Sequence, residues 1–203
     1  MLRQAPRRLV IATANEGKLR EFRALLARLP FELTSSGELG LPSPEETGET
    51  FLANALMKAR HAADLSSSAA VADDSGLEVD ALNGAPGVYS ARYAGSVADD
   101  LANNAKLMSA LKDLPHARRR ARYRCALVFV ESALDAAPLV AEAHWEGFIL
   151  DAPRGGGGFG YDPYFWLPEL NKTAAELPAA EKNRLSHRGQ AMQALRAQLA
   201  ARP

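Results

Sequence analysis

Apolar side chains recur along this chain with two periods, and the switches between them mark out its elements. Arg8 to Thr13 is a short β-branched and apolar run that predicts a strand, and Gly17 to Leu29 carries Leu19, Phe22, Leu26 and Leu29 at helical spacing. A strand, a turn and a helix therefore open the chain. After the Pro-, Glu- and Gly-rich stretch 42–49, Phe51, Leu52, Ala55, Leu56 and Ala59 restore the helical period. Ala69 to Ala72 predicts a second strand, halted by the turn-forming Asp73-Asp74-Ser75-Gly76. Residues 99–112 predict a third helix through Leu101, Ala105, Met108 and Leu111. Two strand-like segments, Ala121 to Glu131 and Leu139 to Ile149, follow closely enough to read as a hairpin or meander. A polar loop then leads to a last helix, Gln190 to Ala200, with Met192, Leu195 and Leu199 facing inward. Helices interleaved with strands, plus an adjacent antiparallel pair, predict an α/β or α+β protein with a mixed sheet.

Composition narrows this picture. At 203 residues, 47% hydrophobic and 24% charged, the chain is expected to form one compact unit without linker, repeat or low-complexity segment. Lys+Arg and Asp+Glu are both 24, so a formal net charge of zero supplies no long-range attraction for nucleic acid or an anionic membrane. Neither is expected as a partner, and any bound anion must be gripped locally. The basic run Arg118, Arg119, Arg120, Arg122 and Arg124 has little aromatic interleaving beyond Tyr123 and reads better as a solvated loop and strand edge than as a nucleic-acid patch. Cys125 is the only cysteine, which excludes an intramolecular disulfide and a cysteine-rich zinc site and fits a reducing compartment. The basic stretch 1–8 leads into only a short apolar run, so neither a signal peptide nor a membrane span is expected and the cytoplasm is the default location.

Four stretches carry candidate chemistry. Thr13-Ala14-Asn15-Glu16-Gly17-Lys18 leaves a predicted strand and opens a predicted helix, where free backbone N–H groups and the helix dipole favour phosphate and Lys18 adds positive charge. A Walker-type P-loop would need glycine where Ala12 stands and a hydroxyl where Leu19 stands. Taken alone, the stretch reads equally well as a helix capped by Asn15. Ala72-Asp73-Asp74-Ser75-Gly76 ends an apolar strand, whose pleat lets only one aspartate easily face a ligand while its neighbour supports the turn. A carboxylate there can hold Mg²⁺ on a polyphosphate or take a proton from attacking water. Glu45 and Glu46 are a second acidic source, although carboxylates are also ordinary turn residues.

Gly155 to Gly158, with Phe159, Gly160, Tyr161 and Asp162, formally satisfies a dinucleotide-binding glycine pattern, but Pro163 and aromatics follow where the helix of that motif should begin. The alternative is a loop over which a planar ligand lies, with Phe159 against a base, or simply a flexible turn around a buried Phe. Lys182 with Ser186, His187, Arg188 and Gly189, before the final helix, offers donors suited to a keto oxygen or a phosphate, although such residues in a polar connection are commonly just solvated.

In order and spacing these motifs closely resemble one family, the non-canonical purine nucleoside triphosphate pyrophosphatases, also called inosine triphosphate pyrophosphatases. The matching stretches are TxNxGK at 13–18, EETGxTFxxNAxxKAxxA from Glu45 to Ala63, and ADDSGLxVDALxGxPGxYSARY from Ala72 to Tyr93. GGFGYDPxF from Gly157, KTAAEL from Lys172 and EKNxxSHRGxA from Glu181 complete the set, so the resemblance spans nearly the whole chain. It implies a two-lobed α/β fold around a long mixed sheet flanked by helices, a site in the cleft between the lobes, a homodimer and a Mg²⁺ cofactor. It also implies roles: Thr13, Ala14, Asn15, Glu16, Gly17 and Lys18, joined by Lys58, on the triphosphate; Asp74 as proton acceptor and metal ligand, with Glu45 as second ligand and Asp73 in support. Ser75, Phe159, Gly160, Tyr161, Asp162, Lys182, His187 and Arg188 would bind the rest of the substrate, Phe159 against the base.

The activity implied is hydrolysis of dITP, ITP, XTP or dXTP to the monophosphate and pyrophosphate. Donors from His187 and Arg188 would suit the six-keto oxygen of hypoxanthine and xanthine and clash with the amino group of adenine. A pyrophosphatase for other modified or ordinary nucleotides, or a nucleotide-binding module without turnover, are the rival functions. Ala14 stands where many relatives carry glycine, Pro178 falls in the loop before Lys182, and Asn183 with Arg184 varies a segment near the base site. None of these differences removes a matched carboxylate or lysine.

Overall fold

The computed structural model describes residues 7–27, 29–95 and 99–201. Twelve elements follow in order: β1 (Arg7–Ile11), α1 (Glu16–Leu26), β2 (Phe31–Ser35), α2 (Phe51–Ser66), β3 (Ala69–Val79), α3 (Asp100–Leu111), β4 (Arg120–Val130), β5 (Leu139–Ile149), β6 (Phe165–Leu167), β7 (Lys172–Thr173), α4 (Ala179–Leu185) and α5 (His187–Ala200), with short 3₁₀ turns among them. The strands hydrogen-bond in the order β2-β1-β3-β4-β5-β6-β7. The sheet is mixed, as predicted: β1 is parallel to β2 and β3, whereas β6 is antiparallel to β5 and β7. Most of the basic N-terminal stretch, residues 1–6, lies outside the described residues. Among the described residues no helix is long and apolar enough to cross a membrane.

Two compact sets of residues make up the fold. The first comprises the described residues of 1–74, 126–142 and 191–203. In it the apolar β1 run Leu9, Val10 and Ile11 is fully buried, as are Phe22 of α1 and Met192 and Leu195 of α5. Asn15 caps α1 by accepting from the Lys18 amide at 2.9 Å, and Thr50 caps α2 by accepting from the Ala53 amide at 3.1 Å. The buried face of α2 is made of small residues, Ala55, Ala59, Ala62 and Ala63, with Phe51 and one amide, Asn54. The second set comprises residues 75–125 and 143–190, with a core of Leu77, Val79, Leu107, Leu111, Ile149, Phe165 and their neighbours.

The structure departs from the sequence reading at three places. First, β3 does not stop at Ala72 but runs through Asp73, Asp74 and Ser75 to Val79, because those carboxylates are buried and paired rather than solvated in a turn. Second, α3 turns a different face inward: Leu101 is 83% exposed, while Asn103 and Asn104 are buried. Those asparagines satisfy loop backbone. Asn103 accepts from the Ala94 amide and donates to the Ala91 carbonyl, and Asn104 donates to the Gly160 carbonyl at 2.9 Å. Third, the polar loop before the last helix contains α4, and β2, β6 and β7 are strands of only five, three and two residues.

The turn from α4 to α5 is tight. A Cβ on Gly189 would lie 1.9 Å from the Asn183 carbonyl oxygen, a backbone atom that cannot swing away. Gly189→Ala is therefore expected to cost about 1–3 kcal/mol of stability or more, read as a lower midpoint in denaturant unfolding. An unchanged midpoint would show that the two helices separate freely.

Candidate active site

The first group of functional side chains is built where β1 hands over to α1 and where α2 faces β3. Backbone hydrogen bonds close the turn after β1, and Thr13 Oγ1 accepts from the Asn15 amide at 3.2 Å. Asn15 Oδ1 is already engaged in capping, so its oxygen orders the turn. Lys18, three residues into α1, extends to Asp73, with Nζ 3.0 Å from Oδ2. Lys58, on α2, makes two such contacts, 3.0 Å to Asp74 Oδ1 and 3.0 Å to Glu46 Oε1. The other Asp74 oxygen accepts from Asn54 Nδ2 at 3.1 Å. The pleat thus sends consecutive aspartates to different helices, each to its own lysine, and neither serves as a solvated turn residue.

Two buried carboxylates beside two lysines set the electrostatics. Burial pushes the Asp74 carboxyl above its ordinary value, and the opposing pull of Lys58 and Lys18 does not fully offset it. For Lys58, burial favours the neutral amine, but Asp74, Asp73 and Glu46 outweigh it and hold the group above the usual lysine value. Lys58 thus holds its proton more firmly than an exposed lysine, and Asp74 binds a proton more readily than an exposed aspartate does. Glu45 is exposed, and it is Glu46 that shares Lys58 with Asp74.

The second group is organised around Asp162. Its Oδ2 accepts from Lys182 Nζ at 2.6 Å and from the Phe159 amide at 2.9 Å, and its Oδ1 accepts from the Tyr123 hydroxyl at 3.2 Å. Both Asp162 oxygens are thus engaged by the protein, and this residue shapes the loop. Gly158 makes the approach possible: with φ of 72°, it sits where a Cβ would fall 2.0 Å from Asp162 Oδ2. The loop is also held at Gly160, whose amide donates to Asp100 Oδ2 at 2.7 Å, and at Tyr161, whose hydroxyl donates to the Ser90 carbonyl at 2.8 Å. Burial drives the Tyr123 hydroxyl far above its ordinary range, with the Asp162 charge adding to the effect, so it remains a donor.

Cations surround the Phe159 ring: Lys182 Nζ is 4.7 Å from its centroid and the Arg188 guanidinium 5.8 Å. Arg188, fully buried, also donates to Ser75 Oγ at 2.8 Å, and the His187 ring stacks on Tyr123 at 4.7 Å with 11° between the planes. Ser75, Phe159, Asp162, Lys182, His187 and Arg188, scattered over more than half the sequence, are therefore linked in one network. The sequence reading did not single out Asn54, Tyr123, Asp100 or Asn104. Asn54 lies inside the motif around Lys58, and the buried asparagines of α3 are not among the apolar residues, Leu101, Ala105, Met108 and Leu111, that carry its helical period.

The chain is thus an α/β protein with a mixed sheet, in which one group pairs lysines with aspartates and the other sets buried cations beside a glycine loop. The chain belongs to the Ham1 family, whose model matches residues 9–198. It is 54% identical over 195 residues to the dITP/XTP pyrophosphatase of Methylococcus capsulatus, covering 96% of this chain and 97% of that one. The dITP/XTP pyrophosphatase of Ralstonia nicotianae is 57% identical over 189 residues, 92% and 93% of the two chains. Among solved structures, a HAM1 protein from Coxiella burnetii superposes with a TM-score of 0.88 at 45% identity over 96% of this chain and 99% of that one. A nucleoside-triphosphatase / dITP/XTP pyrophosphatase from Mycobacterium abscessus gives 0.72 at 43% identity, covering 93% and 98%.

Proposed function

We propose that this protein hydrolyses dITP, ITP and xanthosine triphosphates to the monophosphate and pyrophosphate, removing them from the nucleotide pool. The observation that carries the reading is the pair Asp73–Lys18 and Asp74–Lys58, two buried carboxylates on one strand, each held against a lysine from a helix. The names of the M. capsulatus and R. nicotianae relatives supply the substrate class.

Water attacks the α-phosphorus in line as the bond to the bridging oxygen of pyrophosphate breaks. Asp74 accepts the proton of that water, a task suited to a carboxylate whose proton affinity burial has raised. Lys18 and Lys58 neutralise charge on the triphosphate, with the amides of Ala14, Glu16 and Gly17 contributing donors at the start of α1. Mg²⁺ fits this donor set: hard carboxylate oxygens of Asp74 and Glu46 converge on a single cationic centre, Lys58 Nζ. Among the described residues no cluster of three or more side-chain ligands exists, and Mg²⁺ commonly uses one or two carboxylates and takes its remaining ligands from phosphate and water. Asp74 would hold it with an acid of the loop before α2, where Glu45 is the one the resemblance implies and Glu46 the one whose carboxylate shares Lys58 with Asp74, and when bound it would supply charge neutralisation at the phosphoryl oxygens.

Ser75, Phe159, Gly160, Tyr161, Asp162, Lys182, His187 and Arg188 form the base end, where buried donors favour a six-keto oxygen over an amino group. The homodimer implied by the resemblance belongs to the same proposal and is read directly by light scattering. Arg188→Met is expected to lower kcat/KM on dITP by about 10- to 100-fold, the worth of a hydrogen bond to a charged group, and to change the rate on dATP far less. An equal loss on both would remove Arg188 from base selection. The function itself is tested by pyrophosphate release with Mg²⁺. Release from dITP, ITP and XTP but not from dATP, dGTP, dCTP or dTTP supports the proposal, and indiscriminate release overturns its specificity.

A further inference from the structure

We infer that Asn54 is a positioning residue for the hydrolysis, holding the Asp74 carboxylate in one orientation and tying it to the acidic loop at Gly48. The inference rests on the proposed role of Asp74. Asn54 is fully buried on the small-residue face of α2, between Phe51 and Ala55, where an apolar side chain would be the default. A buried amide there is costly unless it is hydrogen-bonded, and both of its ends are used. Oδ1 accepts from the Gly48 amide at 2.8 Å, and Nδ2 donates to Asp74 Oδ2 at 3.1 Å.

The first bond fixes the second. A backbone N–H can only donate, so the atom of Asn54 facing Gly48 must be the oxygen and the atom facing Asp74 must be the nitrogen. Lys58 stands one helical turn further along the same face and takes the other carboxylate oxygen, Oδ1, at 3.0 Å. Donors at positions i and i+4 therefore grip the two oxygens of one carboxylate and set its plane. Gly48 completes the arrangement, because a Cβ there would lie 2.5 Å from Asn54 Oδ1 and 3.1 Å from the Asn54 amide nitrogen. Glycine at that position lets the loop bearing Glu45 and Glu46 lie this close to α2 without displacing the Asn54 side chain.

The test is a double-mutant cycle on the full chain, measuring pyrophosphate release from dITP together with thermal melting. Asn54→Leu, near in volume but without donor or acceptor, is expected to lower kcat by about 10- to 100-fold with KM little changed. In the Asp74→Asn background the same substitution is expected to cost nothing further, since Asn54 acts through that carboxylate. Equal losses in both backgrounds, or an unchanged kcat in the Asn54→Leu protein, overturn the inference while leaving Asp74 in place. Normal turnover by Asp74→Asn alone instead removes the parent reading and this inference with it. If Asn54→Leu fails to fold, Gly48→Ala carries the same cycle, because its methyl displaces the Asn54 amide without deleting it.

Discussion

Asp74→Asn should yield a folded protein whose turnover on dITP has fallen about 10²- to 10⁴-fold, the usual worth of a general base. The fold should survive because asparagine keeps the shape of aspartate, Asn54 can still donate to its oxygen, and Lys58 retains Glu46 as a partner. Chemistry should not survive. The amide has negligible affinity for the proton of the attacking water, and the neighbouring Asp73 is committed to Lys18. The measurement is kcat by pyrophosphate release beside a melting curve: a wild-type melting temperature with a collapsed kcat is the expected pair. A kcat within a few-fold of wild type would take the base role away from Asp74, since a lost general base ordinarily costs about a hundredfold or more.

Lys182→Met should destabilise the protein by about 3–5 kcal/mol, the typical cost of breaking a buried ion pair from one side. The Lys182 and Asp162 side chains are only 7% and 4% exposed, and their contact is 2.6 Å. Methionine fills much the same volume, so the loss is electrostatic: Asp162 keeps the Tyr123 hydroxyl and the Phe159 amide but no counter-charge. Denaturant unfolding reads the effect directly. Adding Asp162→Asn to Lys182→Met should restore part of the loss, because the stranded charge is then gone. A loss below about 1 kcal/mol would show that the pair behaves as a surface salt bridge.

How much of this was legible in sequence differs between fold and site. The α1, α2 and α5 helices and the β4 and β5 strands announce themselves by period, because each buries one apolar stripe or an unbroken apolar run. What period cannot reveal is an element whose buried face is polar. α3 turns Asn103 and Asn104 inward to satisfy loop carbonyls and amides, and β3 continues through two aspartates because lysines from elsewhere in the chain neutralise them. The candidate residues were legible through motif resemblance, and their partners were not. Nothing in Asp162-Pro163 shows that Tyr123 will donate to the aspartate, and nothing in Asn54-Ala55 shows that the amide will meet Asp74. Such contacts join residues 20 to 39 positions apart, a span over which local pattern carries no information.

The residues proposed for bond breaking and those proposed for reading the base change over at a single peptide bond, between Asp74 and Ser75, with each set packed among its own neighbours. Exchanges around Phe159 and Arg188 are therefore expected to change which nucleotide is accepted without altering the residues proposed for hydrolysis, Lys18, Lys58 and Asp74. For an engineer the same division identifies where to vary side chains: exchanges at Phe159 and His187, sparing Gly158, Gly189 and the buried Lys182–Asp162 pair, explore new bases apart from the residues proposed for hydrolysis.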